Sequence, residues 1–236
     1  MKNLNKDACD ILNLISEKGL WVKSTPLRLH LGCGEQRISG YIQIDYHSSN
    51  HTVQSRSAAD IFCDLKTMNL PYQSVDEIRL HHVFEHFDRP TALGLLIRWH
   101  ESLKSGGKLH IETPDIMGSA RTLLSTVSYK IKQGVLRHAF GSQEATWAYH
   151  LDGWYADKFI YVLTKLGFSV ECRTTQWKME PFLSNVEVFA IKEADKTREQ
   201  LLSAADEILY DSCVAEVSCE QIMHQVWCKM LRDFLG

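Results

Sequence analysis

Two glycines one residue apart, Gly32 and Gly34, close an apolar run (Leu27, Leu29, Leu31), and an acid, Asp45, closes the next one (Tyr41, Ile42, Ile44). A strand that stops at Gly-x-Gly lets a ligand approach bare backbone, because no Cβ stands in the way. An acid at the end of the following strand can accept hydrogen bonds from two ribose hydroxyls. The pattern reads as the nucleoside half-site of an α/β nucleotide-binding fold. Further along, His81-His82 closes another strand pattern, and His150 lies among Trp147, Tyr149, Trp154 and Tyr155. Histidine exchanges protons near neutral pH, so His82 and His150 are the candidate catalytic bases.

The dinucleotide fingerprint wants a third glycine three residues after the second, where this chain has Arg37. It also places its acid about 20 residues on, whereas Asp45 follows Gly34 by 11. The absent glycine would pack a helix beneath a pyrophosphate. A ligand with adenine and ribose but no phosphate fits better, and S-adenosylmethionine (SAM) answers that description. A nicotinamide-dependent oxidoreductase is the disfavoured alternative.

Leu29-His30-Leu31-Gly32-Cys33-Gly34, Asp45, Cys63-Asp64-Leu65, Leu70-Pro71, Ser74-Val75-Asp76, His82-Val83-Phe84-Glu85-His86, Leu103-Lys104-Ser105-Gly106-Gly107 and Thr113-Pro114-Asp115 follow in the order of the motifs of class I SAM-dependent methyltransferases. From about residue 27 to 193 the chain resembles the small bacterial-style "type 11" group. The resemblance implies an α/β, Rossmann-like class I methyltransferase fold: a mostly parallel seven-stranded sheet with an antiparallel edge hairpin, plus a C-terminal helical extension. It implies SAM as cofactor and S-adenosylhomocysteine as product. Gly32, Cys33 and Gly34 would pass under the methionine and ribose, and Asp45, with Tyr46 beside it, would take the ribose hydroxyls. Asp64 would take the adenine amine with Leu65 beside the ring, and the His81 position would offer its backbone carbonyl to the methionine amine. His30 stands where many relatives have an acid, which makes it a support rather than a ligand. The implied reaction is methylation of oxygen or nitrogen on a small-molecule or glycan-type acceptor; a catalytically inactive partner protein of the same fold is the alternative.

His82-x-x-Glu85-His86 also has the spacing of an inverted zincin motif. That motif needs one continuous helix, and here His82 ends a strand. Ubiquinone-pathway and small-RNA 2′-O-methyltransferases are similar in this segment, with a Glu-x-x-Glu-His that holds a divalent metal. His82 replaces their first Glu, so no metal ligand is assigned, and Glu85 and His86 are expected as structural groups at a helix start.

Around these residues the periodicity predicts strands at 27–31, 41–45, 60–63, 75–82 and 108–113, and an antiparallel pair at 168–177 and 185–192. Only about ten residues join the first two strands, near the lower limit for a parallel crossover, so the first helix of the fold must be very short or missing. Helices are predicted over 3–18 (capped by Gly19), from Pro90 to Leu103, over 116–133 (ending near Gly134) and over 156–166 (capped by Gly167). Residues 47–57 read as a loop. Residues 135–153 lack a period and are predicted to fold over the acceptor. Residues 1–194 form the methyltransferase domain and 195–236 a helical extension, with helices at 197–210 and 214–235. In the last, Val214, Val217, Ile222, Val226, Met230 and Phe234 make an apolar stripe that either packs on the parent domain or forms a homodimer.

The 236 residues are 44% hydrophobic and 23% charged, ordinary for a globular protein, with a net charge of −3. No broad basic field argues for nucleic acid, no apolar run reaches the length of a membrane span, and Met1–Asp7 has no apolar h-region of a signal peptide. Seven cysteines without a Cys-x-x-Cys pair read as reduced thiols of a cytoplasmic protein.

Overall fold

The computed structural model describes residues 9–47 and 56–236. Seven strands form one sheet: β1 (Arg28–Leu31), β2 (Ile42–Asp45), β3 (Ile61–Phe62), β4 (Val75–His81), β5 (Leu103–Pro114), β6 (Phe168–Gln176) and β7 (Ser184–Lys192). Their order is 3-2-1-4-5-7-6. The pairs among β1 to β5 are parallel, and β7 runs antiparallel to both β5 and β6. This is an α/β, Rossmann-like arrangement, with the mostly parallel seven-stranded sheet and the antiparallel edge hairpin that the resemblance implies. A separate two-residue parallel pair joins Cys9–Asp10 to Met68–Asn69.

Side chains alternate across a strand, and the register sorts them sharply. Leu29, Ile42, Ile78, Leu109 and Ala190 lie in one row; Leu31, Ile44, Leu80, Ile111 and Val188 lie in the next row of the same face. The opposite face carries His30, Gln43, Arg79, His110 and Phe189 in one row and His81, Glu112 and Glu187 in another. Parallel sheets of doubly wound proteins are apolar on both faces; this one is apolar on one. The core is continuous on that side, and Phe62, Phe189 and Ile191, apolar residues of the polar face, stay outside it. Phe189 instead stacks on the His110 ring at 4.3 Å, with the Arg173 guanidinium 5.0 Å from its centroid.

The helices that share the core are α1 (Ile11–Glu17), α2 (Arg89–Ser102), α5 (Ala156–Lys165), α6 (Arg198–Tyr210) and α7 (Ser218–Leu235), with α3 (Ile116–Leu124) and α4 (Tyr129–Phe140) between β5 and α5. Asp88 caps α2 by accepting from Thr91 N–H, and Pro90 occupies its first turn, where no N–H is needed. Thr197 and Gln200 form a reciprocal capping box on α6.

The first two strands are joined without a helix, as the short connection requires. Four details depart from expectation. The N-terminal helix covers only Ile11–Glu17, and the Leu4 and Ala8 positions of its pattern lie outside the described residues. The predicted 47–57 loop lies almost wholly outside them too. β5 starts at Leu103, where Leu103 already pairs with Val75 across an irregular register, and Gly106 at φ +73° supplies the irregularity. The single helix expected over 116–133 is two: Ser125 ends α3, and the Ser128 hydroxyl accepts from Ile131 N–H to start α4. Gly134 therefore sits inside a helix that runs to Phe140. Finally, the face of α7 that packs inward is Trp227, Cys228, Leu231 and Phe234, while Val214, Val217, Ile222, Val226 and Met230 are exposed.

Candidate active site

The carboxyl ends of β1, β2, β3 and β4 meet at one edge of the sheet, where ligands of open α/β sheets bind. β1 gives way to Gly32 and Gly34 at φ +66° and +55°, a left-handed turn that a side chain resists. At Gly32 the need is also steric, since a Cβ there would stand 2.2 Å from Val83 Cγ2. The turn is laced to β2: Gly32 N–H donates to the Ile44 carbonyl at 2.8 Å, and Gly34 N–H donates to Asp45 Oδ2 at 2.7 Å. Asp45 Oδ1 accepts from Tyr46 N–H at 2.7 Å. The carboxylate is buried, and its orientation is set by the loop it faces. Cys33 is buried beside it; burial, then the Asp45 charge, push its thiol up to about 12, so it is inert.

Asp64 accepts from Lys66 N–H at 2.9 Å, turning the chain after β3, and Leu65 is buried in the core. Tyr46 is exposed. The His30 side chain is buried on the polar face with Nδ1 2.7 Å from Gln43 Oε1. His81 points the same way, between the His30 and His110 rings, and Nε2 accepts from Arg79 Nε at 2.9 Å. Burial first, and the Arg79 charge second, hold His81 at about 3, so it is neutral.

His82 points to the other side of the edge. It lies at φ +54°, a region that costs a non-glycine residue about 1–2 kcal/mol and that marks functional sites when it persists. The next residues make one 3-10 turn, Phe84–His86, not a continuous helix. That turn directs Glu85 inward. Glu85 is 2% exposed, and neither of its oxygens has a hydrogen-bond partner among the described residues. Three imidazoles surround it: His82 Nδ1 at 3.4 Å from Oε1, His150 Nε2 at 3.9 Å, and His86, whose ring centre is 4.7 Å from that of His150. Burial opposes the charge on Glu85, yet these neighbours hold its carboxyl below the usual range.

The proton positions follow from partners that can only accept. His150 Nδ1 lies 3.2 Å from the Ala139 carbonyl and His86 Nδ1 3.0 Å from the Tyr149 carbonyl. Each Nδ1 therefore carries the hydrogen, leaving each Nε2 lone pair available. Burial first pushes His150 below the ordinary imidazole value, with Glu85 pulling the other way. His82 Nε2 is engaged: Asn185 Nδ2 donates to it at 3.0 Å and to Glu112 Oε1 at 2.5 Å, while Asn185 Oδ1 accepts from His138 Nε2 at 2.9 Å. Glu85, His86 and His150 also have ligand atoms within 4.8 Å of one another, close enough to share a cation.

The structure thus brings Gly32, Cys33, Gly34, Asp45 and Tyr46 together, and His82 and His150 together around Glu85. Residues 149–152 cross that turn, with Leu151 N–H donating to the Glu85 carbonyl at 2.8 Å. Trp154, an aromatic neighbour of His150 in sequence, is instead buried in the core against Phe84 and Phe159. Asn185 and Glu112 were invisible to sequence reasoning, because only the antiparallel pairing of β7 with β5 puts them beside His82. A cavity of about 690 Å³ lies elsewhere, between residues 65–70, α2 and the end of α7.

The chain matches no family profile and no curated protein. Among solved structures it is similar to a SAM-dependent methyltransferase from Methanosarcina mazei, at 13% identity over 78% of this chain and 99% of that one with a TM-score of 0.47. It is similar to another from Archaeoglobus fulgidus (15%, 75% and 91%, TM-score 0.47). A third is the plantazolicin methyltransferase BpumL in complex with SAH (15%, 76% and 80%, TM-score 0.45). Likenesses at this level carry no argument, and the functional reading starts from the chain's own residues.

Proposed function

We propose that the protein is a SAM-dependent methyltransferase acting on a hydroxyl or amine of a small-molecule or glycan-type acceptor. The observation that carries this reading is the Asp45 carboxylate, buried at the end of β2 and locked by Gly34 N–H and Tyr46 N–H beside the left-handed turn. A buried acid fixed beside bare backbone suits a ribose diol. Gly32, Cys33, Gly34, Asp45, Tyr46, Asp64, Leu65 and the His81 backbone would hold the cofactor, which when bound supplies a methyl group activated on a sulfonium.

The remaining work falls to the chain. Alignment of the acceptor supplies most of the rate. The His150 Nε2 lone pair takes the acceptor's proton, and the adjacent Glu85 charge stabilises the imidazolium that forms. His82, the other candidate base, has Nε2 held by Asn185 and Nδ1 turned to Glu85, which suits it to fixing that carboxylate. A second reading of the cluster is a divalent cation on Glu85, His86 and His150 that acidifies an acceptor hydroxyl; the Glu85 oxygens, without a hydrogen bond among the described residues, favour it. The exposed apolar stripe of α7 is the surface assigned to self-association, and the seven free thiols suit the reducing cytoplasm. No described helix is long and apolar enough to cross a membrane.

Calorimetry with SAM, S-adenosylhomocysteine and NAD tests the proposal: the first two bind and NAD does not. Asp45→Ala weakens SAM binding by about 10–100-fold, the loss of charge-assisted hydrogen bonds worth about 1.5–3 kcal/mol. A folded Asp45→Ala protein with unchanged SAM affinity overturns the assignment. Binding without turnover on any extract supplied with methyl-labelled SAM favours the inactive-partner alternative.

A further inference from the structure

Away from the sheet edge, the two C-terminal helices bring together a carboxylate, an imidazole and a thiol. His224 and Cys228 stand one turn apart on α7, which puts them on the same face, and Asp206 faces them from α6. Cys228 Sγ lies 2.9 Å from Asp206 Oδ1 and 3.3 Å from His224 Nε2, and His224 Nε2 lies 3.6 Å from Asp206 Oδ1 and 3.2 Å from the Asp206 carbonyl, a contact that a metal on Nε2 would replace. Each residue offers one ligand atom, and the three fall within 4.8 Å of one another. Cys228 is buried in the core, while Asp206 has a half-exposed side chain.

We propose that Asp206, His224 and Cys228 form a site for a divalent transition metal of the zinc class, which ties α6 to α7. Zinc takes sulfur at about 2.3 Å, nitrogen at about 2.0–2.1 Å and oxygen at about 2.0–2.2 Å in a tetrahedron, so ligand atoms on it stand about 3.3–3.6 Å apart. Two of the three observed separations already have that span, and the third needs Asp206 Oδ1 to withdraw by about half an ångström. A mixed sulfur, nitrogen and oxygen donor set selects zinc-class ions over magnesium and calcium, which take oxygen. The open side of Asp206 gives a path for entry and leaves the fourth position to water. A nucleophilic triad is the competing use of such residues, but Cys228 is buried in the core, out of reach of a substrate. The cation reading of Glu85, His86 and His150 is a separate matter, since that cluster has no sulfur.

The difference in donors supplies the test. The full chain, stripped with a chelator, is titrated with cobalt(II). One equivalent develops a near-ultraviolet sulfur-to-cobalt charge-transfer band with the visible bands of four-coordinate cobalt, and zinc displaces it. Cys228→Ser abolishes the charge-transfer band, and His224→Ala weakens binding at least about tenfold. Cys219→Ser, at an exposed thiol, changes nothing. If Cys228→Ser does not fold, Asp206→Asn at the half-exposed position still lowers cobalt affinity while circular dichroism stays native. Absence of the band in the wild-type protein, its survival in Cys228→Ser, or wild-type affinity in Asp206→Asn overturns the proposal.

Discussion

At the scale of single residues, the proton transfer proposed for the histidines around Glu85 and the cofactor binding proposed for Asp45 can be tested apart. His150→Ala lowers turnover by roughly 10²–10⁴-fold, the usual worth of a general base, and leaves SAM affinity nearly unchanged. Full turnover in both His150→Ala and His82→Gln would mean that neither histidine takes the proton. Glu85→Gln gives a finer test. The carboxylate raises the His150 value, so neutralising it lowers that value further. The base then stays neutral to a lower pH, and the acidic limb of the kcat profile moves down. A limb that stays in place assigns the proton to another group. The placement of these residues was partly legible in sequence: the glycines and Asp45, expected at strand ends by spacing, lie there, and His82 and His150, singled out by type, meet around Glu85. Glu85 as the hub was not legible, because its role comes from the inward turn of Phe84–His86 and from a loop some sixty residues later.

The elements were legible where their ends carry chemistry. Gly19 and Gly167, at φ +62° and +91°, close helices where C-terminal glycines were expected. The break between α3 and α4 was missed because Ser125 and Ser128 act through hydrogen bonds that periodicity does not register. Of the apolar stripe expected at 214–235 only Phe234 packs inward, beside Trp227, Cys228 and Leu231, which the stripe left out; its other members are exposed. That packing predicts an effect of Gly94. Alanine is worth about 1 kcal/mol over glycine inside a helix, yet a Cβ at Gly94 would stand 2.3 Å from Phe234 Cδ1. The Phe234 ring lies under the Arg98 guanidinium, 4.1 Å from its centroid, and the Arg98 side chain donates to the Phe234 carbonyl. With its partner so held, Gly94→Ala destabilises by about 1–3 kcal/mol through overpacking, read from urea melts. A gain in stability would show that α7 is free to shift off α2.

For the molecule as a whole, the histidines set the response to acid. Burial is the leading cause holding His30, His81, His100, His110, His138 and His150 below the ordinary imidazole value. The folded chain keeps them neutral while the unfolded chain protonates them at about 6.5. Between that value and each lower folded value, the unfolded state binds the extra proton. Stability therefore falls as pH drops below about 6.5, each such group adding a slope of up to about 1.4 kcal/mol per pH unit. Urea midpoints at pH 7.5, 6.5 and 5.5 test this, and a flat series contradicts it. The strand order and edge hairpin were readable from motif order. The one-sided sheet was written in Arg28-Leu29-His30-Leu31, Glu77-Ile78-Arg79-Leu80-His81 and Lys108-Leu109-His110-Ile111, a strict alternation. Attending only to the apolar members of each run passes over it.

That alternation has a thermal consequence. Exposure of apolar surface raises the heat capacity of unfolding, and exposure of polar surface lowers it. A sheet with a row of histidine, arginine and glutamate on one face releases less apolar and more polar surface than one buried on both sides. A chain of 236 residues would ordinarily show about 2.8–3.5 kcal/mol/K, and calorimetry on this protein should fall below that range. Its stability would then curve less with temperature, holding nearer to constant on warming and cooling than that of a doubly covered relative of equal length.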